Sequence, residues 1–475
     1  MISTSIPYFI FTAITLLVFY ISPVKFRTAV LVLASLFFYM YVKPSYGLLI
    51  LSLISCNYYL GRKIGDISDK KFKKNLMHFS LFINLGILVY FKYWEFILDN
   101  TLLIFNANDL FNSLILKEII LPIGLSYYIF QLIGYILDIY RGSVKPEKNF
   151  PKFSLFILFF PKLFVGPIER AKRMLPQLEF DKGFQKDNFV EGGRYIAWGL
   201  FKKLVVADRI AIYVDTVYSN MSHHNSTTFY FATLLYPFQV YADFSGYTDI
   251  AIGTAKLFGI DLMDNFRRPL LARNVSDFWR RWHISLSSWV NDYIYNPIVY
   301  KRRDWGNWGV AFALLISFVV IGVWHGASWN FVFFGILQAT ALIYEVVTRN
   351  LRKTLSKSMP GNLYNSISIV FTFLFFAFSL IVFRTTDWGN ASTMVNVIKS
   401  GSGKLFIDQP STILNISIGI IVIMLVDIVR EYKLWSNVLM DEKKWMLHHI
   451  GYALVIIYIL MAGVFDGGQF IYFAF

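Results

Sequence analysis

Apolar runs of helical length recur along the whole chain. They fall at about 4–22, 28–42, 46–60, 75–97, 118–140, 190–217, 228–259, 307–323, 328–348, 363–383, 411–429 and 446–465. Within them apolar and polar residues do not alternate, which sets aside a transmembrane barrel. A helix needs roughly 20 apolar residues to cross a bilayer, so the pattern predicts twelve crossings and an all-α polytopic membrane protein. Two further apolar stretches are awkward. "FSLFILFFPKLFVGP" (153–167) is short and carries two prolines, and "DFWRRWHISLSSWVNDYIYNP" (277–297) is amphipathic and studded with polar residues. Both suit re-entrant or interfacial pieces, whose backbone is tolerated at membrane depth when protein covers it.

The polar gaps orient this array. Loop 61–74 carries six basic and two acidic residues, and loops 141–148, 168–186, 262–281 and 349–357 are also rich in Lys and Arg. Loops 98–117 and 218–227 have almost none, and loop 384–410 is mixed. The basic loops share one side when the amino terminus starts outside, which makes that side cytoplasmic. Twelve crossings then place the carboxyl terminus outside. The first apolar run lacks a basic start and a small-residue cleavage pattern, so it reads as a first transmembrane helix. No solenoid repeat or low-complexity linker divides residues 1–475, which are read as one membrane domain with an outer tail at 466–475.

Composition agrees. Of 475 residues, 56% are hydrophobic and only 16% charged; a soluble chain could not hide that much apolar surface. The net charge of +15 would suggest nucleic acid for a soluble protein, but here the basic residues mark topology, and nucleic acid is set aside. Cys56, inside an apolar run, is the only cysteine, so no internal disulfide forms.

Seven histidines frame the candidate chemistry. His78, His223, His224, His448 and His449 read as solvated or interfacial. His325, in "IGVWHGASWNF" (321–331), lies between two apolar spans beside Gly322 and Gly326. An ionisable group at membrane depth is costly and often functional; the alternative is a structural histidine bonded between helices. His283 stands among Trp279, Arg280, Arg281 and Trp282. That patch suits either an anionic ligand or an interfacial anchor. In "YADFSGYTDIAIG" (241–253), Asp243, Ser245, Tyr247, Thr248 and Asp249 imply a polar bundle interior. They either line a cavity or pair with neighbouring helices. No His/Cys/Asp/Glu spacing suits a metal, no Gly-rich phosphate loop is present, and no G-x-S-x-G elbow occurs. Histidine base chemistry is the best-supported catalytic option. The carboxyl terminus, "FIYFAF" (470–475), crowds four aromatics into six positions, which by itself suits an interfacial anchor.

Four segments in order, "PKLFVGPIER" (161–170), "YADFSGYTDIAIG" (241–253), "NFRRPLLARNVSDFWRRWHISLSSW" (265–289) and "GVWHGASWNF" (322–331), resemble the membrane-bound O-acyltransferases. The likeness spans roughly residues 120–340 and the carboxyl terminus. It is to the bacterial branch of alginate and peptidoglycan O-acetyltransferase membrane subunits and the D-alanyl transfer protein of teichoic acid. The resemblance implies about 11–13 transmembrane helices with re-entrant or interfacial helices around a central funnel, in the bacterial inner (plasma) membrane. It implies that His325 is catalytic, at the narrow intramembrane end, and that His283 is a second, cytoplasmic-side site histidine. It implies cytoplasmic acetyl-CoA as donor substrate, no metal, membrane lipids as surroundings, and an extracytoplasmic serine-hydrolase-like (SGNH) acetyltransferase as partner. A terminal F-x-Y-x-x-F pattern in this branch is associated with an acyl-carrying tyrosine, and Phe470, Tyr472 and Phe475 match it.

The chemistry this asks for is specific. Coenzyme A thioesters do not cross a bilayer, and polysaccharide acceptors are outside. A small acceptor must therefore meet the histidine from the outer side. A phenol, with a pKa of roughly 10, is easier to deprotonate than an aliphatic alcohol, and a neutral imidazole can take its proton. The expected function is O-acetylation of a cell-wall or secreted polysaccharide through an acetyl-Tyr472 relay. D-alanyl transfer to teichoic acid is the alternative, disfavoured because that system carries the tyrosine motif on a separate peptide. A lipid-linked sugar flippase is a distant third.

Overall fold

The computed structural model describes residues 2–41, 43–105, 120–181, 183–385, 388–399, 401–407, 409–434 and 445–465. Among these residues the regular structure is helical, with no strand. The protein is an all-α polytopic membrane protein. Five helical stretches are long and apolar enough to cross a bilayer: Lys70–Thr101, Asn307–His325, Trp329–Val347, Gly361–Arg384 and Pro410–Glu431. Ile6–Ile21 and Ile450–Ala462 are apolar but shorter. Other expected spans form helices that carry charged residues within them, as at Lys202, Lys203, Asp243 and Asp249. The chain divides into two compact units.

The first unit comprises Met1–Gly193 and Ala251–Met263. Helices Ile6–Ile21, Val24–Met40, Pro44–Asp66 and Lys70–Leu88 follow the first four apolar runs, and Leu125–Arg141 follows the fifth. Pro44 opens its helix at a position where the missing N–H costs nothing. Asp69 accepts from the Lys71 N–H at 2.8 Å and starts the next. Residues of the 61–74 loop thus extend both helices, leaving a turn of three residues, 67–69. Asn57 and Asn84 exchange side-chain hydrogen bonds (3.2 and 2.8 Å), with Ser80 donating to Asn57 at 2.9 Å. These buried amides fix the two helices without leaving polar groups unsatisfied. The proline-broken 153–167 stretch forms two short helices, Phe150–Leu158 and Phe160–Leu163. Pro161 cannot donate back to the preceding turn, so the helix breaks at Phe159 and restarts with the proline in its first turn.

The second unit comprises Arg194–Ile250 and Asp264–Phe475. The expected 190–217 span is a helical run in three parts: Lys186–Leu200, a π-helical Phe201–Ala207, and Asp208–Ser219. The helix Ser226–Leu257 contains 32 residues, about 48 Å, well beyond a hydrocarbon core of about 30 Å. Its polar middle, with Asp243, Ser245 and Thr248, is buried by protein. It crosses the preceding run at Gly199 and Gly246, where a Cβ on either glycine would stand 2.6–2.9 Å from the other's carbonyl oxygen. The 277–297 stretch forms Val275–Arg281, Ile284–Val290 and a π-helical Asn291–Tyr295 leading into Asn296–Lys301. Asn307–His325 and Trp329–Val347 form a tight hairpin, followed by Arg349–Ser358, Gly361–Arg384, Trp388–Lys399, Pro410–Glu431 and Trp445–Ala462.

Candidate active site

His325 is the last residue of its helix, and Gly326 leaves it in an extended conformation (φ −170°, ψ 162°). Ser328 then caps the Trp329–Val347 helix. The hairpin closes because Gly322 and Gly335 carry no side chain: a Cβ on Gly335 would lie 3.2 Å from Val319 Cα, and one on Gly322 would strike the Phe331 carbonyl. Bulkier residues would push the helices apart just below the histidine.

The His325 ring is 3% exposed. Trp324, Phe383 and Phe334 meet it edge-on, with centroids at 5.1, 5.2 and 6.4 Å. Phe334 and Phe331 also pack on Phe383 at 5.3 and 5.1 Å. This is a box of aromatic walls that excludes bulk water from an imidazole. Polar pins outside the box hold it. The Asn330 amide donates to the Thr385 carbonyl at 2.8 Å, tying the hairpin to the end of Gly361–Arg384. Gln338 accepts from Trp279 Nε1 at 3.2 Å and donates to Ser379 at 2.9 Å, joining three helices.

His283 belongs to the same unit. It is fully buried, not an interfacial anchor. Its ring meets Phe244 at 4.7 Å and Trp324 at 5.6 Å, so one indole contacts both histidines. Its backbone is left-handed (φ 44°, ψ 52°), a conformation that costs a non-glycine residue and clusters at functional sites. Asn265 holds it there. Asn265 Oδ1 accepts from the Ser285 N–H (3.1 Å) and Ser285 hydroxyl (2.9 Å) and stands 3.2 Å from His283 Nδ1. An N–H can only donate, so the amide presents its oxygen and the His283 Nδ1 carries the proton. Nε2 is then the ring's accepting nitrogen. Burial pushes the His283 pKa down to about 3, keeping the ring neutral.

The basic patch beside it is partly structural. Arg281 pairs with Asp277 at 3.0 Å and Glu431 at 2.9 Å, and Arg268 reaches Glu431 at 2.6 Å. Burial works most strongly against the Asp277 charge, but the hydrogen bonds from Arg281 and the Arg273 N–H, with the charges of Arg281 and Arg280, together outweigh it and hold that carboxyl below its ordinary range. Trp282 is buried against Phe266, Phe278 and Phe376. Arg280 remains exposed.

The polar 241–253 stretch pairs with two lysines that sequence reasoning passed over. Lys202 contacts Asp249 at 2.7 Å and Ser245 at 2.8 Å. Lys203 contacts Asp243 at 2.6 Å and Asp208 at 2.8 Å. Tyr241 donates to Asp427 at 2.9 Å. The readable signal was two adjacent lysines inside the apolar run "GLFKKLVVA" (199–207). The Ser226–Leu257 helix, which carries Asp243 and Asp249, also presents Phe244 to His283, so the charge pairs and the histidine wall share one element. Of the other histidines, His78 is exposed and His224 packs on Phe406 at 4.7 Å. The side chains of His448 and His449, and the whole 466–475 tail with Tyr472, lie outside the described residues.

Comparison with known proteins converges on the same stretch. The model of the membrane-bound O-acyltransferase family (MBOAT) matches residues 143–384, which include both histidines. The chain is 31% identical to the probable alginate O-acetylase AlgI of Pseudomonas putida, over 84% of this chain and 80% of the relative. It is 33% identical to the peptidoglycan O-acetyltransferase of Helicobacter pylori, over 72% of this chain and 70% of the relative. It is 28% identical to the teichoic acid D-alanyltransferase of Bacillus subtilis, over 55% of this chain and 68% of the relative.

Proposed function

Because this chain belongs to the membrane-bound O-acyltransferase family, we propose that it relays acetyl groups from cytoplasmic acetyl-CoA across a bacterial plasma membrane. The chain is a multi-pass membrane O-acyltransferase. The carrying observation is His325 at the apex of a glycine-packed helix hairpin, walled by Trp324, Phe334 and Phe383. An imidazole so placed meets a substrate where water does not compete for the acyl group.

In this reading His325 takes the phenolic proton of Tyr472. The tyrosine oxygen attacks the thioester carbonyl, a C–O bond forms, and the C–S bond breaks. The imidazolium returns the proton to the leaving thiolate, giving free coenzyme A and acetyl-tyrosine. General-base assistance of this kind contributes about 10²–10⁴-fold. The phenyl ester then passes its acetyl group to the serine of an extracytoplasmic SGNH-type partner, which acetylates a cell-wall or secreted polysaccharide. His283 acts from behind Trp324, fixing that indole against the His325 ring. The motif Phe470–Tyr472–Phe475 on the chain itself favours acetyl transfer over D-alanyl transfer.

The test is mass spectrometry of the terminal peptide after incubating the purified chain with acetyl-CoA. An acetyl adduct on Tyr472 is expected, absent in His325→Ala and Tyr472→Phe variants that still insert. An adduct of D-alanyl mass in cells would select the teichoic acid reading. Normal polysaccharide acetate in a Tyr472→Phe strain would sink the relay.

A further inference from the structure

The helix Arg349–Ser358 follows the Trp329–Val347 span directly and buries no residue. It carries Arg349, Arg352, Lys353 and Lys357 and no acidic residue. Leu351 and Leu355, one turn apart, are exposed, as are Tyr344 and Val347 at the end of the preceding span. At about 100° per residue, the basic side chains fall on the flank and far side of the helix from the two leucines. Its apolar edge is exposed like the end of the span, while Arg349, Lys353 and Lys357 point away and Arg352 lies on the flank.

We propose that this helix is a docking site for anionic phospholipid of the leaflet on the basic side of the membrane. A protein helix laid on Leu351 and Leu355 would leave Arg349, Lys353 and Lys357, on the opposite side, unanswered. An acidic peptide would answer the cations and leave the leucines in water. The bilayer interface offers both at once: acyl chains for the leucines and phosphates within reach of long Lys and Arg side chains. The charge is strongly one-signed, so anionic head groups are preferred over zwitterionic ones.

Docking there bears on the site through a chain of hydrogen bonds. Arg352 donates to the Glu345 carbonyl at 2.7 Å. The Glu345 carboxylate accepts from the Val275 and Ser276 N–H groups at 2.6 and 3.1 Å, at the start of the helix that leads to His283. The lipid-facing helix and the His283 segment are therefore anchored to one residue.

The test uses the full chain in a Cys56→Ser background, with a fluorophore on Leu355→Cys, reconstituted in phosphatidylcholine vesicles. Brominated phosphatidylglycerol is expected to quench the label far better than brominated phosphatidylcholine. Arg349→Gln, Lys353→Gln and Lys357→Gln together leave the Arg352 tie intact. Each lost charge is expected to lower the preference for phosphatidylglycerol over phosphatidylcholine about fivefold. Exchanging those three for the other basic residue preserves the preference. Equal quenching by both lipids in the unsubstituted helix, no quenching by either, or a triple variant indistinguishable from it would each overturn the proposal.

Discussion

His283 shows how a single residue can be placed against its own preferences. Its left-handed backbone costs on the order of 1–3 kcal/mol, offset by the three groups that converge on Asn265. Its ring is neutral because burial pushes its pKa down to about 3, against an ordinary value of about 6.5. The unfolded chain therefore binds a proton between about pH 6.5 and 3 that the folded chain refuses. Stability falls as pH drops through that window, by about 1.4 kcal/mol per unit on its steep part. From pH 7 to pH 5 the thermal midpoint in detergent is expected to fall more for the wild type than for His283→Gln. Parallel pH profiles would contradict a buried neutral ring. From sequence His283 looked like part of a surface patch, because Trp and Arg neighbours suit an interface. What buries it, Asn265 eighteen residues earlier and Phe244 on another helix, is tertiary and leaves no local pattern.

Helices were legible where apolar runs are long, since burial of a whole helix surface in lipid or protein demands it. Breaks were legible where chemistry forces them, as at Pro161. The π-helical Phe201–Ala207 was not, because the extra residue per turn follows from partners elsewhere in the fold. Within it, consecutive lysines find different carboxylates: Lys202 takes Asp249, and Lys203 takes Asp243 and Asp208. The polar residues of 241–253 were recognised as paired or cavity-lining, and these lysines supply the pairing. Lys203 is 3% exposed, so Lys203→Met takes the cation from two buried carboxylates. Breaking a buried pair from one side costs about 3–5 kcal/mol. Lys203→Met should therefore lower the thermal midpoint sharply, while Lys203→Met with Asp243→Asn costs less than the sum of the singles. Additive losses would mean that the pair is not coupled.

At the scale of the whole molecule, the relay reading stands on topology: donor and tail must meet His325 from opposite sides. In that reading the basic loops mark the donor side, and an even number of crossings puts residues 466–475 on the other. Phe150–Leu158 and Phe160–Leu163 contain nine and four residues, about 13 and 6 Å, too short to count as crossings. The parity turns instead on the helical stretch from Ile284 to Lys301, about 27 Å long. It is long enough to span a thin bilayer but carries Asp292 and Lys301. In a Cys56→Ser chain, Gln469→Cys is expected to react with an impermeant maleimide in intact cells. Ser356→Cys, on the basic helix, is expected to react only after the membrane is opened. If the two cysteines exchange sides, Gln469→Cys labelling only after the membrane is opened and Ser356→Cys in intact cells, Ile284–Lys301 is a crossing, and Tyr472 cannot carry an acetyl group outward. The polysaccharide acetyl would then need an acceptor other than this tail, with His325 still at the apex of its hairpin.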